Sequence, residues 1–196
     1  MYTLFNLSAA CEPGEQQRRA TARDRTTRSY LQGKVYPENE YAKILESRFV
    51  TAPDFLADAF HDNDDTWLRR GDKGQVELIR RVRVVHSTDL DLPVAMSVSW
   101  FRGGLDKVCP NLLETQRLQE GTPAYLHKHT GMLITSGNDD VCAAWSNEVE
   151  ARHLEIEFGS PVCRTRSFQF GSDNRLIEYS ESTSLPNRWA SYPHSG

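Results

Sequence analysis

Hydrophobic and polar positions in the second half of the chain alternate with a period of two, which is typical of β-strands. The first alternating stretch runs from Val76 to Val85 (VELIRRVRVV), and a polar linker separates it from Pro93 to Phe101 (PVAMSVSWF). A second pair follows, consisting of Pro161 to Phe170, a turn at Gly171 to Asn174, and Arg175 to Ser184. The pattern therefore predicts two strand hairpins.

The first predicted hairpin places polar side chains together. Arg81 and Arg83 share one face of the first strand, because side chains alternate along it. With the linker centred near Leu90, an antiparallel register sets Arg83 opposite Ser97. The same register sets Arg81 opposite Ser99, and a slip of one residue would undo both pairs.

The last predicted strand has a face that is too polar for a plain core. The residues that alternation assigns to this face are Leu176, Glu178, Ser180, Ser182 and Ser184. Ile177 and Tyr179 are assigned to the opposite face.

Two arginines at positions i and i+2, such as Arg81 and Arg83, lie about 7 Å apart and can bind one phosphate or carboxylate together. The alternative is an ion pair between Arg81 and Glu178 on a solvated face.

Helical patterns lie before and between the hairpins. The predicted helices are a short one after Thr51 to Asp54, Pro110 to Glu120 with Gly121 as C-cap, Pro123 to Thr130 with Gly131 as C-cap, and one capped by Ser146. Further strands are predicted at Ile44 to Val50 and Val141 to Trp145. Hairpins interrupted by helices indicate an α+β fold with an antiparallel sheet flanked by helices.

Composition bounds the class of protein. The chain has 196 residues and a net charge of −4, which argues against a general nucleic-acid surface, although basic residues concentrate between Arg18 and Lys34. Residues 1–35 are predicted to be a basic linker or weakly ordered arm, and residues 193–196 a tail. The four scattered cysteines and the absence of a leader or membrane segment indicate a cytoplasmic protein with reduced thiols.

Patterns for other chemistry are weak. His127 and His129 are two positions apart on a predicted helix and diverge, which is the wrong geometry for a shared metal. Cys109 has no evident base and is predicted to be buried rather than nucleophilic. No phosphate-loop, dinucleotide or hydrolase signature occurs in the sequence. No cofactor, metal or catalytic residue is therefore predicted.

Five stretches, in their order and spacing, resemble one family. They are RRVRVV, DLPVAMSVSWF, EGTPAYLHKHTG, SNEVEARHLEIEFGSPVCRTR and NRLIEYSESTSLPNRWASY. From about Tyr36 to Tyr192 the chain resembles the UTRA domain, the effector-binding module of GntR-type transcription regulators of the HutC subfamily. The resemblance implies a chorismate-lyase-like fold that encloses a small-molecule pocket, and a homodimer.

The resemblance also implies a set of effector-binding residues. The arginine pair of the family's first long strand falls on Arg81 and Arg83, and a carboxylate of the last hairpin falls on Glu178. A further contact falls on Ser184, where relatives often have tyrosine. The glutamate that many relatives have on the second strand falls on Ser97, and with that departure the sugar-phosphate ligand does not transfer.

Three functional interpretations follow. The first is the ligand-sensing domain of a transcription regulator, which would bind DNA only through a winged-helix head; residues 1–35 match the linker to such a head and not the head itself. The second is a stand-alone enzyme of the chorismate-lyase type, in which Arg81 and Arg83 hold carboxylates and Glu178 assists departure. The third is a head-less modulator that forms mixed dimers with a full-length regulator.

Overall fold

The computed structural model describes residues 39–60 and 65–186. The arm predicted at residues 1–35 and the tail at residues 193–196 lie outside this part of the chain. Both domain boundaries, and the question whether the basic residues between Arg18 and Lys34 form a linker, therefore stay predictions.

The described residues form seven strands and three α-helices. The strands are β1 (Glu40–Thr51), β2 (Arg69–Arg70), β3 (Val76–Ser87), β4 (Leu92–Arg102), β5 (Ile134–Trp145), β6 (Pro161–Gly171) and β7 (Leu176–Ser184). The helices are α1 (Asp54–Phe60), α2 (Thr122–Thr130) and α3 (Glu148–Leu154). Short 3-10 helices occur at Asp65–Trp67, Gly103–Lys107 and Pro110–Leu112. The α+β class predicted from the sequence is confirmed.

All seven strands belong to one antiparallel sheet. Its order is β1-β3-β4-β7-β6-β5, and β2 pairs with the start of β3. The two predicted hairpins, β3-β4 and β6-β7, are joined in the centre of the sheet by pairing between β4 and β7. The predicted register is confirmed, because Arg83 lies opposite Ser97 and Arg81 lies opposite Ser99.

The sheet has two differently covered faces, which we name the site face and the back face. The site face bears Arg81, Arg83, Ser97, Ser99 and Ser180, which occupy directly opposed or alternate positions in the registers. The back face bears Leu78, Val82, Val84, Met96 and Tyr179. Helices α1 and α3 cover the back face with fully or nearly buried side chains, among them Leu56, Phe60 and Leu154.

The site face is covered only in part by helices. At one end of it α2 and two of the 3-10 helices bury a hydrophobic cluster against the sheet. That cluster includes Ile79, Phe101, Leu105, Cys109, Leu112, Tyr125, Leu126, Ile134 and Ile177. Burial raises the pKa of the Cys109 thiol to about 11, and the thiol is fully buried, as the sequence predicted. Beyond this cluster the face becomes polar.

A bulge corrects one prediction for β7. The pairing passes from Gln169 opposite Glu178 to Phe170 opposite Leu176, so Ile177 is an extra residue in the strand. Leu176 consequently packs on the back face beside Tyr179, and Ile177 packs in the cluster of the site face. Strict alternation had assigned these two side chains the other way round.

Helix α3 begins one residue later than predicted. Its N-cap is Asn147, not Ser146, and the Asn147 side chain accepts hydrogen bonds from the N–H groups of Val149 and Glu150. Glu150 returns a hydrogen bond by accepting from the Asn147 N–H at 2.8 Å, which completes a capping box. The Ser146 hydroxyl instead donates to the carbonyl of Glu157 in the loop before β6.

Candidate functional site

Polar side chains form continuous rows across the site face. One row runs from β1 to β5 through Ser47, Arg81, Ser99, Ser180, Ser167 and Asp139. The next row is polar at Arg83, Ser97, Ser182 and Thr165, and it has the apolar Ile44 and Val141 at its two ends. Because opposed residues share a face, hydroxyl groups of both hairpins meet there. Both hairpins therefore contribute polar groups to one surface, as predicted.

Arg81 is held by backbone carbonyl groups. Its guanidinium donates to the carbonyl oxygens of Asn111 at 2.9 Å, of Leu112, and of Gln116 at 3.4 Å. Ser47 donates to the same Leu112 oxygen. Burial and, to a smaller extent, the neighbouring charge of Arg83 lower the pKa of Arg81 to about 10. Arg81 thus fixes the 3-10 helix Pro110–Leu112 and Gln116 after it against the sheet.

The same bonds explain why the helix predicted at Pro110 to Glu120 is wrong. Only Pro110–Leu112 is helical, as a single 3-10 turn, and Gly121 is the N-cap of α2 rather than a C-cap. In a continuing α-helix the oxygens of residues 111 and 112 would accept from N–H groups four residues later. Arg81 takes that role, and the chain leaves the helical path. The predicted C-cap Gly131 is confirmed in left-handed conformation.

Arg83 lines a narrow cleft between the sheet and the segment that leads into α2. The residues that line the cleft are Ala42, Ile44, Arg81, Arg83, Arg117, Leu118, Gln119, Gly121 and Thr122. Three of these nine are arginines, and none is acidic. Arg83 is half-buried and makes no hydrogen bond or ion pair within the described residues. The cavity volume of the cleft is about 30 Å³.

Glu178 is buried on the same face, and no ion pair joins it to Arg81 or Arg83 within the described residues. It is 6% exposed. Burial raises the pKa of its carboxyl above the ordinary value, while the charge of Arg83, hydrogen bonding from Ser99 and the charge of Arg81 act in the opposite direction. The surroundings of Glu178 are therefore not those of an ion pair on a solvated sheet face.

The five predicted site residues all lie on the site face, but not all are neighbours. Ser97 is buried and its hydroxyl accepts from Ser182 at 3.1 Å, in the row of Arg83. Ser184 lies opposite Ala95 and Cys163. It is six residues from Glu178 along an extended strand, a separation of about 20 Å. Arg81, Arg83, Ser97 and Glu178 form a group, and Ser184 lies beyond it.

Sequence reasoning missed the wall of the cleft that faces the sheet. Arg117 and the N-terminus of α2 line it, with Gly121 as N-cap at φ 82° and ψ 157°, a conformation that favours glycine. A helix N-terminus favours anions because its first N–H groups and its dipole point outward. A glycine next to Thr122 and Pro123 was a usable signal for a helix start.

Other arginines lie on the back face and are paired. Arg164 binds Glu150 with Nε at 2.9 Å and Nη2 at 2.7 Å, and Arg166 binds Asp140 at 2.8 Å. Arg80 binds Glu46 at 2.6 Å. Arg164 and Arg166 therefore form a ladder on the back face and do not extend the basic lining of the cleft.

A family model decides the identity of the domain. The model of the UTRA domain matches residues 41–189 of the sequence. This chain belongs to the UTRA family. The match begins in β1 and extends past β7, so it covers both hairpins, α2 and the cleft of the UTRA domain beside β3.

Solved structures of bacterial regulators have the same fold as this UTRA domain. A GntR-family transcriptional regulator from Bacillus cereus is 18% identical, with a TM-score of 0.62 over 81% of this chain and 100% of that chain. A GntR-family regulator from Enterococcus faecalis V583 is 15% identical, with a TM-score of 0.61 over 79% and 100%. The effector domain of PhnF from Mycobacterium smegmatis is 16% identical, with a TM-score of 0.60 over 83% and 89%.

No curated protein matches the sequence closely enough to count as a relative. In the described part of the UTRA domain, no helix is long and apolar enough to cross a membrane. The same residues contain no group of three or more histidine, cysteine, aspartate or glutamate side chains that could hold a metal ion.

Proposed function

We propose that this UTRA domain senses a small anionic metabolite for a GntR-type transcription regulator of the HutC subfamily. The observation that carries the proposal is the cleft at β3, which has three arginines and no carboxylate in its lining. The half-buried guanidinium of Arg83 has no partner within the described residues. A buried or half-buried cation without a partner is a binding group for a carboxylate or phosphate.

The opposite wall of the cleft supports an anionic ligand. Gly121 and Thr122 bring the N-terminus of α2 to the cleft, and Arg117 precedes it by four residues. An anion between β3 and α2 would contact Arg83 on one side and the helix N-terminus on the other. Both groups attract the same sign of charge, so the two walls reinforce each other.

The volume of the cleft implies that ligand entry moves the covering segment. About 30 Å³ holds roughly one water molecule, whereas metabolite pockets measure several hundred Å³. Residues 117–121 lie between the last carbonyl that Arg81 binds and α2, and they are the part that would swing outward. We propose that the effector selects an arrangement with this segment displaced, and that the change reaches DNA-binding heads across a homodimer. DNA contact then belongs to a winged-helix head of the regulator.

The relatives support an effector-binding role. One of the solved structures similar to this domain is named an effector domain, and two are named transcriptional regulators of the GntR family. These names do not identify a ligand for this chain, so the proposed ligand class rests on the residues that line the cleft.

The test is a ligand screen with two matched arginine variants. Thermal unfolding midpoints are measured for the parent protein, for Arg83→Ala and for Arg80→Ala. Each is measured with phosphorylated sugars, amino acids, carboxylic acids and aromatic acids. A ligand at a hundred times its dissociation constant raises the midpoint by about 5 °C. We expect a shift in the parent and in Arg80→Ala, because Arg80 lies on the back face of the same strand, and none in Arg83→Ala.

Two outcomes would contradict the proposal. An undiminished shift in Arg83→Ala would remove the cleft as the binding site. Release of pyruvate from chorismate by the purified protein would favour the enzyme of the chorismate-lyase type over a sensor. We expect no such release, because the group formed by Arg81, Arg83 and Glu178 is accounted for by binding alone.

A further inference from the structure

Gln169 contains a buried acceptor that no described residue satisfies. It lies on the site face of β6, opposite Glu178 on β7 and opposite Gly137 on β5. The residue is 3% exposed, and its Oε1 accepts no hydrogen bond from the described residues. Leaving such an acceptor unpaired costs about 1–3 kcal/mol. A buried polar atom without a partner calls for an explanation, and a donor group of a ligand is one that would satisfy it.

The Gln169 amide is fixed in this orientation by its neighbours. Its Nε2 donates to the Ser167 hydroxyl at 2.6 Å, and that hydroxyl donates to Oδ1 of Asp139 at 2.6 Å. Turning the amide over would set Oε1 against a hydroxyl whose proton is already used by Asp139. The order of donors therefore keeps Nε2 toward Ser167 and leaves Oε1 as the unpaired atom.

Gly137 holds the amide from the other side. A Cβ atom at position 137 would lie 2.8 Å from Oε1 of Gln169 and 3.1 Å from Nε2. Gly137 leaves room for the amide to lie across β5, because a Cβ atom there would make the amide shift. Its oxygen is positioned by three residues on two strands, and not by chance at the end of a mobile side chain.

Glu178 supplies a second acceptor on the other strand that neighbours Gln169, β7. It is the direct cross-strand neighbour of Gln169, so the two Cβ atoms are about 5 Å apart. Neither side chain has a cationic partner within hydrogen-bond distance in the described residues. The charge of Arg83 acts on Glu178 more strongly than that of Arg81. Arg83 and Glu178 lie on the same face of the sheet, two strands apart, so one small molecule can extend from one side chain to the other.

We infer that Gln169 and Glu178 form an acceptor subsite for an ammonium group of the effector, whose anionic group binds Arg83. This inference rests on the proposed function and specifies its ligand. A hydroxyl has one proton to donate, whereas an ammonium group has three and also neutralises the buried carboxylate. The ligand class is then a small molecule with an anion at one end and an amine at the other.

The experiment compares probes that differ only at the amine. Alkyl phosphates of two to six carbons, ending in an ammonium, a hydroxyl or a methyl group, are titrated calorimetrically into the parent protein. Gln169→Met removes the acceptor, and Gly137→Ala displaces it without changing its chemistry. Gln75→Met, in the turn between β2 and β3, is the matched control. Thermal unfolding of each variant verifies that it is folded.

We expect the ammonium probe to bind the parent about tenfold more tightly than the methyl probe of equal length. Gln169→Met and Gly137→Ala should lose most of this preference and keep the affinity for the methyl probe, while Gln75→Met keeps both. A merely structural role of Gln169 would change the affinities of all probes together.

Three results would overturn the inference, and they separate it from the proposed function. Equal binding of the three probe types, still dependent on Arg83, would leave the anion site and remove the subsite. An ammonium preference that persists in Gln169→Met would remove Gln169 from it, in which case a buried water would explain Oε1. Failure of every probe to bind the parent would overturn the anion site as well.

Discussion

Two buried glutamates on opposite faces of the same sheet have opposite surroundings. On the back face, Glu150 accepts from Arg164, from the Thr183 hydroxyl at 2.6 Å and from the Asn147 N–H. Burial opposes ionisation, but these hydrogen bonds lower the pKa of Glu150 below its ordinary value. On the site face, Glu178 is as deeply buried, and its pKa is raised.

The pKa values of the two glutamates shift in opposite directions because their hydrogen-bond partners differ, and not because their burial differs. A charge removed from water is tolerated where hydrogen bonds replace the solvent, as at Glu150, and destabilises the fold where they do not. Glu150 joins α3 to β6 and β7, so its network serves stability. Glu178, Gln169 and Arg83 retain unused hydrogen-bonding capacity, which a ligand can satisfy. At these residues, incomplete pairing distinguishes the proposed binding face from the back face.

The largest effect is expected from Glu150→Gln. Removing the charge leaves Arg164 without its anion and should lower the free energy of unfolding by about 3 kcal/mol at pH 7. Because the folded pKa is depressed, this stability is present above the unfolded value of 4.5 and is lost as the pH falls through the folded pKa. Urea unfolding at a series of pH values measures both the loss of stability and its pH dependence, with the exposed Glu148→Gln as control. Equal stabilities of the two variants would contradict the role of Glu150.

The next effect separates the two arginines of β3. Arg81→Leu frees three carbonyl oxygens and should lower the free energy of unfolding by about 2 kcal/mol, since hydrogen bonds from charged donors are lost. Arg83→Leu should change it by less than about 0.5 kcal/mol, because no described partner is lost. Denaturant titration of both variants measures this. A larger loss for Arg83→Leu would make Arg83 structural and weaken the proposed function.

A smaller effect of opposite sign is expected from Glu178→Gln. A carboxyl with a raised folded pKa binds its proton more tightly in the folded state, so it reduces stability increasingly as the pH rises from 4.5 through the folded pKa. The variant should therefore unfold at higher urea than the parent at pH 8, and at the same urea at pH 4. Destabilisation at pH 8 would show that the carboxylate is satisfied after all.

The smallest effect is expected from Arg166→Ala on the back face. The Arg166–Asp140 pair is about half exposed on both sides, with side-chain exposures of 51% and 52%. Exposed pairs are screened by solvent, so the change should be below about 0.5 kcal/mol. Comparison with Glu150→Gln in the same urea series would show that burial, and not the presence of an ion pair, decides stability. A loss as large as that of Glu150→Gln would contradict this.

The local pattern was sufficient to predict the hairpins and their register. Alternation and the position of the linker place Arg83 opposite Ser97, because each depends only on residues close in sequence. The same alternation failed at Ile177, where a bulge inserts one residue and exchanges the faces of Leu176 and Ile177. A bulge depends on the partner strand, which a single strand does not specify.

Contacts between segments that are distant in the chain could not be predicted from the sequence. The helix predicted at Pro110 to Glu120 is replaced by a turn because Arg81, thirty residues earlier, binds its carbonyls. Gln169 was not among the predicted site residues, because a glutamine on a strand is common. Its position depends on contacts with Ser167 and Gly137 that the sequence does not reveal. The residue types of the site could be predicted, whereas the partner of each depends on tertiary contacts.

The pairing of β4 with β7 has a consequence for folding. The hydroxyl contact between Ser97 and Ser182 joins residues that are 85 positions apart. Closing so long a loop is slow compared with forming either hairpin. The line of pairing between β4 and β7, the seam of the sheet, is therefore expected to form late. Arg83 belongs to one hairpin, and Gln169 and Glu178 belong to the other. A chain emerging from the ribosome would thus acquire the whole proposed recognition surface in one late step, and amide protons along the seam would become protected together with it.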